Sequence, residues 1–452
     1  MQFLDTIAAI ATATGQGGIA ILRVSGPEAE AVLKRVFRPA KGEGEAFPSH
    51  LLKYGHMVRG NEKVDEAMAV LMRAPRTYTR EDVAEIHTHG GRIMASLALE
   101  LALAAGARQA EPGEFTRRAF LNGRLDLSQA EAVMGLIAAG GRQAAKAAMR
   151  QLDGGPSQFI REVLDRLFSL MAGLEAAIDY PEEVEEAEAT HSLREGILIL
   201  SKKLEDACDE RGVKMLEQGM DVVLCGRPNV GKSSLLNALL GEDRAIVTDV
   251  PGTTRDILTG SLEISGLPVT LSDTAGLRDT DDTVEKIGVS RAQKAMARAD
   301  VVILVIDAGQ PLSLEDEALL LSPPEGAFAV VLNKSDLPPM VAAEEIKKLC
   351  LSAPVIALSA RTGEGLAALK TYLAEKAGEP SRLALTTSRH IAAARRAAFS
   401  LRQAADSLHS NIPLDLAAVD LRDAIAALGE ITGDEVEERI LDEVFSQFCV
   451  GK

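Results

Sequence analysis

A glycine-rich segment at residues 226–233 has the residue types and the spacing that hold phosphate groups. It reads GRPNVGKS, matches the pattern G-x-x-x-x-G-K-[ST] and directly follows an apolar run at 222–224. Such a loop turns its backbone N–H groups toward phosphate, while Lys232 would neutralise the β- and γ-phosphate oxygens and Ser233 would bind Mg²⁺. The segment therefore predicts a nucleotide site at a strand-to-helix turn.

Four further motifs follow in the order that a Ras-like GTP-binding domain requires. Thr253 and Thr254 stand where a first switch senses γ-phosphate and Mg²⁺, and DTAG at 273–276 follows the strand-like run 269–271. NKSD at 333–336 and the pair at 359–360 each follow another apolar run. Ordinary turns and helix caps do not account for five motifs in this order. The predicted nucleotide-binding residues are Asn229, Val230, Gly231, Lys232, Ser233, Ser234, Thr248, Thr253, Thr254, Asp273, Thr274, Gly276, Asn333, Lys334, Asp336, Ser359 and Ala360, with Ser233 and Thr254 as magnesium ligands.

Asp336, the last residue of NKSD, indicates which base is bound. Its carboxylate can accept hydrogen bonds from N1–H and from the 2-amino group of guanine, and adenine offers neither donor. A desolvated carboxylate without a donor is strongly penalised. The motif therefore predicts GTP as the nucleotide and excludes ATP.

Leu277 follows DTAG at the position where Ras-type enzymes keep the glutamine that orients the attacking water. Because an apolar side chain cannot orient water, hydrolysis needs a polar group from elsewhere in the chain. Glu285, in the polar stretch 278–286, is the candidate. From the residues alone, a solvated charge at the start of a helix explains Glu285 equally well.

Length and composition predict a multi-domain protein of the cytoplasm. The 452 residues, 46% of them apolar, suffice for about three domains of ~150 residues. The apolar runs 19–22 and 301–306 are far shorter than the ~20 residues of a membrane span, and no basic segment with an apolar core follows Met1. Four scattered cysteines without a C-x-x-C pair argue against a zinc knuckle and against a secreted disulfide framework. We expect a cytoplasmic location and no membrane association.

The net charge of −17 is unfavourable for direct nucleic-acid binding, because affinity for phosphates requires clustered Lys and Arg. With 3% aromatic residues, stacking surfaces for bases are also scarce. If RNA is a substrate, a local basic patch or a partner must supply the positive surface.

The pattern of apolar residues divides the chain into α/β and helical segments. Residues 1–120 alternate strand-like and helix-like runs, whereas about 125–214 show helical spacing, as at Leu164, Leu167, Phe168 and Met171, with a break near Pro181.

Beyond 220 the alternation returns, and its buried strand runs predict a parallel sheet. After Pro380 the pattern is helical again, with Leu421, Ile425 and Leu428 on one face. Thr432 and Glu435 suggest a capping box that starts a last helix at 436. Helices on both sides predict that the nucleotide-binding domain is inserted into one helical bundle.

The whole chain resembles the MnmE (TrmE) family of tRNA-modification GTPases. Besides the nucleotide motifs, the resemblance rests on GGIAILRVSG at 17–26, YTRED at 78–82, HGG at 89–91, EPGEFTRRAFLNGRLDL at 111–127 and FCVGK at 448–452. It implies a multi-domain α/β fold with an N-terminal α+β folate-binding and dimerisation domain (1–120) and an all-α helical domain in two segments (121–216 and 380–452). Between these segments it implies an inserted Ras-like P-loop G domain (217–379) with a mainly parallel sheet.

The resemblance also implies an activity and its partners. A homodimer of such chains forms a hetero-oligomer with a flavin-dependent protein that carries FAD. Together they add an aminomethyl or carboxymethylaminomethyl group to C5 of the wobble uridine, position 34, of certain tRNAs. The carbon comes from 5,10-methylene-tetrahydrofolate, and potassium-dependent GTP hydrolysis with G-domain dimerisation drives a conformational cycle.

Several residue roles come from the resemblance alone. Asn229 matches a potassium ligand, with Thr248, Val250 and Thr253 completing the predicted potassium site, and Glu285 matches the glutamate that positions water. Thus no arginine finger is required of Arg255 or Arg278.

The resemblance ties the terminal Cys449 to the modification chemistry, and we expect this cysteine to be mobile and exposed, whereas Cys225 packs in a strand. Arg23, Glu81 and Arg124 are the predicted folate ligands. Their alternative role is in structural ion pairs.

Two other functions remain to be compared. A GTP-dependent ribosome-assembly factor would carry a basic RNA-binding module, yet the segment after Pro380 has more Asp and Glu than Lys and Arg. The second alternative, a folate-dependent enzyme whose G domain only regulates it, is not excluded by the sequence.

Overall fold

The computed structural model describes residues 4–13, 15, 17–41, 46–180, 186–242, 259–273, 293–410, 413–436 and 438–452. The strands, in chain order, are β1 Ile7–Ile10, β2 Ile19–Ser25, β3 Phe37–Pro39, β4 Lys53–Arg59, β5 Glu62–Met72, β6 Val83–His89, β7 Arg108–Gln109, β8 Met220–Cys225, β9 Thr259–Ile264, β10 Leu267–Asp273, β11 Val301–Asp307, β12 Ala327–Asn333 and β13 Val355–Ala357. The helices are α1 Ala29–Val36, α2 Arg92–Ala104, α3 Glu114–Leu121, α4 Leu127–Ala138, α5 Arg142–Leu152, α6 Gly155–Asp179, α7 Glu186–Asp206, α8 Glu210–Gln218, α9 Lys232–Glu242, α10 Leu314–Leu321, α11 Ala343–Leu349, α12 Leu366–Ala377, α13 Ser388–His409, α14 Leu414–Thr432 and α15 Glu438–Ser446.

The chain divides into two compact units, each built from segments that are distant in sequence. The first unit comprises Met1–Met134, Gln151–Leu204 and Ala393–Lys452, and the second comprises Gly135–Arg150 and Glu205–Ala392. The larger segment of the second unit thus interrupts the first unit in sequence.

The first unit contains a seven-stranded sheet in the order β3-β4-β5-β6-β2-β1-β7. Neighbouring strands are antiparallel except β1 and β7, which run parallel. Alternate residues of β2, namely Ala20, Leu22 and Val24, are buried, and Leu22 and Val24 share a core with the apolar faces of α1 and α2. Because side chains alternate across a strand, Arg23 lies on the opposite face, where it pairs in register with Glu85 of β6.

Long helices complete the first unit. In α6 the buried residues Leu164, Leu167 and Met171 lie on one face, and α6 packs against α14. Phe168, which belongs to the same apolar spacing, is exposed, because it lies at the edge of that face, about 40° from Leu164 and about 100° from Leu167. The hydroxyl of Ser201 in α7 donates to the carbonyl of Ala398 in α13 at 3.1 Å.

The capping box expected at Thr432 is wrong. The buried face of α14 extends through Leu428 and Ile431, so the helix continues to Thr432 as its last residue. The Thr432 hydroxyl bonds the carboxylate of Asp434 at 2.7 Å, and the following helix α15 begins only at Glu438.

The second unit contains a six-stranded sheet in the order β13-β12-β11-β8-β10-β9. All neighbours are parallel except the hairpin β9/β10, which confirms the predicted parallel sheet. Every residue of β11 is buried, and two apolar cores lie on the two faces of the sheet. The carboxyl ends of the parallel strands therefore share one edge, where ligands of such sheets bind.

Within the described ranges, no helix combines the length and the apolar content that crossing a bilayer requires.

Candidate functional site

The phosphate-binding loop predicted at 226–233 lies between β8 and the first turn of α9. Gly226 and Gly231 have positive φ angles of 129° and 100°. A Cβ at Gly226 would stand 2.3 Å from the Val305 carbonyl oxygen, and one at Gly231 would stand 2.2 Å from Nδ2 of Asn333. Both positions favour glycine because of their backbone angles, and because the β11 backbone at Gly226 and the Asn333 side chain at Gly231 leave no room for a Cβ.

Lys232 and Ser233 occupy the first turn of α9. The buried Lys232 curls back over the loop, and its Nζ donates to the carbonyls of Gly226 at 2.9 Å and Arg227 at 2.8 Å. The Ser233 hydroxyl donates to Oδ2 of Asp273, at the end of β10, at 2.8 Å. A hydroxyl and a carboxylate at this separation are hard oxygen donors of the kind that Mg²⁺ prefers.

The NKSD motif joins three loops at the carboxyl edge of the sheet. Asn333 Nδ2 donates to the Val230 carbonyl at 2.9 Å, and Asn333 Oδ1 accepts from the Ala360 amide at 3.0 Å. The Ser359 hydroxyl donates to Oδ1 of the exposed Asp336 at 2.7 Å and holds the pKa of that carboxyl below its usual range. The carboxylate is thus ionised and aimed by a neutral donor, as guanine recognition requires.

Lys334 of the same motif contacts the phosphate-binding loop. Its Nζ donates to the Asn229 carbonyl at 3.1 Å and to Oδ2 of Asp307 at 2.6 Å. Lys334 and Asn229 both have left-handed backbones, with φ of 64°.

Two buried carboxylates beside this site were not predicted from the sequence. Asp307 ends β11 next to Asn333 of β12, and Asp316 pairs with Arg227 of the phosphate-binding loop at 3.0 Å. A carboxylate that ends a fully apolar strand, as in VVILVID, was the available signal for Asp307. For Asp316 we find no comparable signal, because the residue belongs to an ordinary capping box with Ser313.

Seven predicted site residues lie outside the described residues, namely Thr248, Val250, Thr253, Thr254, Thr274, Gly276 and Glu285. Leu277, Arg255 and Arg278 also lie outside them. The remaining nucleotide-site residues lie in the phosphate-binding loop, in the first turn of α9, or at and just after the carboxyl ends of β10, β12 and β13.

In the first unit, Arg23 and Arg124 meet around Tyr78. The Arg124 guanidinium lies 4.6 Å from the centre of the Tyr78 ring, and that of Arg23 lies 5.8 Å from it. Arg124 donates to the Tyr78 carbonyl at 3.0 Å, whereas Nε of Arg23 donates to Glu85 at 2.8 Å. Two cations on an aromatic ring suit a ligand with an aromatic group and a carboxylate. Tyr78 was not predicted, although it starts the matched segment YTRED.

Glu81 belongs to a different cluster, centred on the fully buried Arg118. Arg118 pairs with Glu81 at 3.2 Å, with Asp5 at 2.8 Å and with Glu114 at 2.9 Å. The Ser25 hydroxyl also donates to Glu81, at 2.7 Å. These contacts agree with the alternative role of Glu81 in a structural ion pair. Its role as a folate ligand stays a prediction.

Cys449 is exposed, but its neighbours are fixed. Phe448 is buried against Phe445, and Val450 forms an antiparallel bridge with Pro112. Nη1 of Arg23 donates to the Gly451 carbonyl at 3.4 Å. The expected exposure is confirmed, whereas these contacts hold the backbone that we expected to be mobile.

The other cysteines lack such exposure. Cys225 is buried in β8, as predicted, and burial raises the pKa of its thiol to about 12. Cys350 is buried and Cys208 half-buried. Among the four thiols, Cys449 is the one that solvent reaches freely.

Comparison with known proteins decides the family. A model described as the GTP-binding protein TrmE N-terminus matches residues 6–124, and a model described as the MnmE helical domain matches 127–449. The tRNA modification GTPase MnmE of Symbiobacterium thermophilum is 48% identical over 454 residues, covering 99% of both chains. The chain belongs to the MnmE family of tRNA modification GTPases. Two further tRNA modification GTPases MnmE support this assignment. That of Geobacillus kaustophilus is 45% identical over 100% of both chains, and that of Lactiplantibacillus plantarum is 45% identical over 99% of this chain and 98% of the relative.

The two MnmE family models together span nearly all of the chain. The helical-domain match at 127–449 includes the nucleotide-binding loop, because helices of the first unit precede and follow that loop in sequence. This arrangement agrees with a multi-domain α/β fold in which a Ras-like G domain interrupts a helical domain.

Proposed function

We propose that this protein hydrolyses GTP to support the addition of an aminomethyl or carboxymethylaminomethyl group to C5 of the wobble uridine of certain tRNAs. A flavin-dependent partner carrying FAD acts with it, and 5,10-methylene-tetrahydrofolate supplies the carbon. The observation that carries the proposal is the full-length likeness to tRNA modification GTPases, combined with the sheet-edge arrangement that the described residues form for a guanine nucleotide.

The GTP-binding part of the proposal rests on the geometry of the second unit. Asp336 is held by Ser359 for guanine, Gly231 is packed against Asn333, and Lys232 lies over the phosphate-binding loop. Glu285 is the proposed residue that orients the attacking water.

The residues that would bind the metal ions are oxygen donors. Ser233 and Asp273, already 2.8 Å apart, fit Mg²⁺, with Thr254 as the further proposed ligand. The amide oxygen of Asn229 and its left-handed backbone fit a neutral oxygen site for K⁺, to which we assign Thr248, Val250 and Thr253 as well. When bound, the cations would neutralise negative charge that develops on the phosphates.

The folate part of the proposal rests on the first unit. Arg23 and Arg124 could bind the carboxylates of a folate, and the Tyr78 ring could contact its aromatic rings. Arg23 also reaches the segment that contains Cys449, which places the proposed thiol and the proposed folate ligands in one unit.

We further propose that the protein acts in the cytoplasm as a homodimer and within a hetero-oligomer with the flavin-dependent partner. The proposed domain boundaries are 1–120, 121–216, 217–379 and 380–452. The negative charge of the chain implies that the partner or a local surface binds much of the tRNA backbone.

Mass spectrometry of wobble uridines in tRNA from cells that lack the protein tests this function. We expect the C5 modification to disappear from the affected tRNAs. Unchanged modification would remove tRNA modification as the function and favour a GTP-dependent assembly factor.

A second experiment tests the cation mechanism. GTP turnover by the full chain should rise with potassium, and GDP with aluminium fluoride should bring G domains together in potassium but not in sodium, because sodium is smaller and more tightly hydrated. Equal turnover in both salts would contradict the cation mechanism. Arg255 or Arg278 would then be the first candidate for an arginine finger that supplies the positive charge.

A further inference from the structure

The buried carboxylate of Asp307 holds two groups at once at the end of β11. Its Oδ1 accepts from the Gly309 amide at 3.0 Å and so fixes the turn after the strand. Its Oδ2 accepts from Nζ of Lys334 at 2.6 Å, with 4% of the Asp307 side chain exposed. Since a carboxylate with so little solvent contact is costly unless it is paired, Lys334 is its compensating charge.

Lys334 passes this constraint to the phosphate-binding loop. Its ammonium also donates to the carbonyl of Asn229, a residue with a left-handed backbone. An exposed ammonium on a four-carbon stem would otherwise sample many rotamers. The chain Asp307–Lys334–Asn229 therefore connects the base-recognition motif to the residue that we assign to potassium.

The charges of this chain have a consequence for a bound cation. The ammonium that contacts the Asn229 carbonyl would repel a second positive ion on the same residue, and because Asn229 is exposed, solvent weakens this repulsion without removing it. The carboxylate of Asp307 cancels the ammonium charge at 2.6 Å. With the pair neutralised, Asn229 can bind a monovalent cation at lower cost.

We propose that Asp307 is a positioning residue that fixes and neutralises Lys334 against Asn229 and thereby sets the potassium response of GTP hydrolysis. The inference rests on the proposed potassium-dependent hydrolysis. It adds a residue that lies outside every nucleotide-binding motif.

The structure offers a matched control at the other end of the same strand. Asp300, directly before β11, accepts from Nζ of Lys214 at 2.8 Å and from the Asp221 amide at 2.9 Å. Asp300→Asn thus replaces a carboxylate that, like Asp307, accepts from one lysine and one backbone amide. Its lysine, Lys214, does not belong to the nucleotide site.

The experiment uses the full chain and varies potassium at constant ionic strength. We expect Asp307→Asn to raise the potassium concentration for half-maximal GTP turnover about tenfold, and Asp300→Asn to change it by less than about twofold. In the background of Lys334→Gln, which removes the ammonium, Asp307→Asn should add no further shift. Release of fluorescent GDP in sodium should be several-fold faster in Asp307→Asn than in the parent.

Two results would overturn the inference. One is an unchanged potassium response together with unchanged GDP release in Asp307→Asn. The other is an equal shift in Asp300→Asn, which would indicate general destabilisation of the sheet. A parent without any potassium response contradicts the proposed cation mechanism instead, and the GDP-release comparison then decides whether Asp307 holds Lys334 on the loop.

Discussion

The nucleotide site and the Arg118 cluster are both polar and partly buried, yet they are held by different kinds of contact. At the nucleotide site, motif side chains bond largely to backbone groups of adjacent loops, as Asn333 does with Val230 and Ala360. In the Arg118 cluster, charged side chains bond to one another, and Asp5 and Arg118 are 113 positions apart. The first arrangement fixes loop geometry, whereas the second contributes to the stability of the fold through ionised groups. Substitutions should therefore change ligand affinity in the first region and pH-dependent stability in the second.

The largest effect should come from a methyl group in the phosphate-binding loop. Gly231→Ala places a Cβ 2.2 Å from Asn333 Nδ2 at a φ of 100°, so the loop and the NKSD motif cannot both keep their positions. We expect GTP affinity to fall by roughly a thousandfold or more, measured by titration calorimetry. Gly241→Ala is the control, because nothing lies within 4 Å of its added Cβ. Comparable loss in both variants would contradict this account of the loop.

A smaller and more selective effect is expected at Asp336. Asp336→Asn presents a donor where the guanine 2-amino group needs an acceptor, so GTP affinity should fall on the order of a hundredfold while xanthosine triphosphate is accepted. Competition binding with both nucleotides measures the switch. An unchanged preference for GTP would show that Asp336 does not recognise the base.

Arg124→Gln should have a moderate effect confined to the first unit. Loss of a guanidinium that lies on Tyr78 should weaken tetrahydrofolate binding by about tenfold and leave GTP turnover unchanged. Fluorescence titration with tetrahydrofolate checks this, with Arg59→Gln as a control at an exposed surface pair. Full folate affinity in Arg124→Gln would place the folate elsewhere.

The smallest effect should be one of stability, and it depends on pH. Burial opposes ionisation of Glu114, but hydrogen bonds and charges from Arg108 and Arg118 lower its pKa below the usual 4.5. A lowered pKa stabilises the folded state above pH 4.5, and this contribution is lost as pH falls through the folded-state pKa. Glu114→Gln should cost about 1 kcal/mol at pH 7 and progressively less below pH 4.5.

Scanning calorimetry at several pH values measures this difference. Glu100→Gln, which breaks an exposed pair with Arg59, should change stability by less than about 0.5 kcal/mol. A cost of Glu114→Gln that does not vary with pH would show that packing, not charge, is its contribution.

The same contrast explains what the sequence could predict. Asp336, Asn333 and Ser359 were recognisable because each follows a buried strand within a short contiguous motif, and parallel strands bring their carboxyl ends together. Asp307 forms no motif, so only the packing of β11 against β12 shows its contact with Lys334.

The first unit was harder to predict in detail. Its contacts join residues far apart in sequence, such as Arg23 with Gly451, and spacing alone cannot pair them. The exposure of Phe168 could not be predicted, because apolar spacing does not distinguish the edge of a helix face from its centre. Thr432 was misplaced because the buried face of α14 outweighs a local capping pattern.

In the proposed function, GTP turnover in the second unit supports tRNA chemistry that depends on the first. The most direct test measures wobble-uridine C5 modification by mass spectrometry in cells that lack the protein and receive the parent, Cys449→Ser or Cys208→Ser. The parent and Cys208→Ser should restore the modification. Cys449→Ser should not, although its purified GTP turnover stays within about twofold of the parent, because the thiol lies outside every nucleotide motif. Full restoration by Cys449→Ser, or modification that persists without the protein, would contradict the claim.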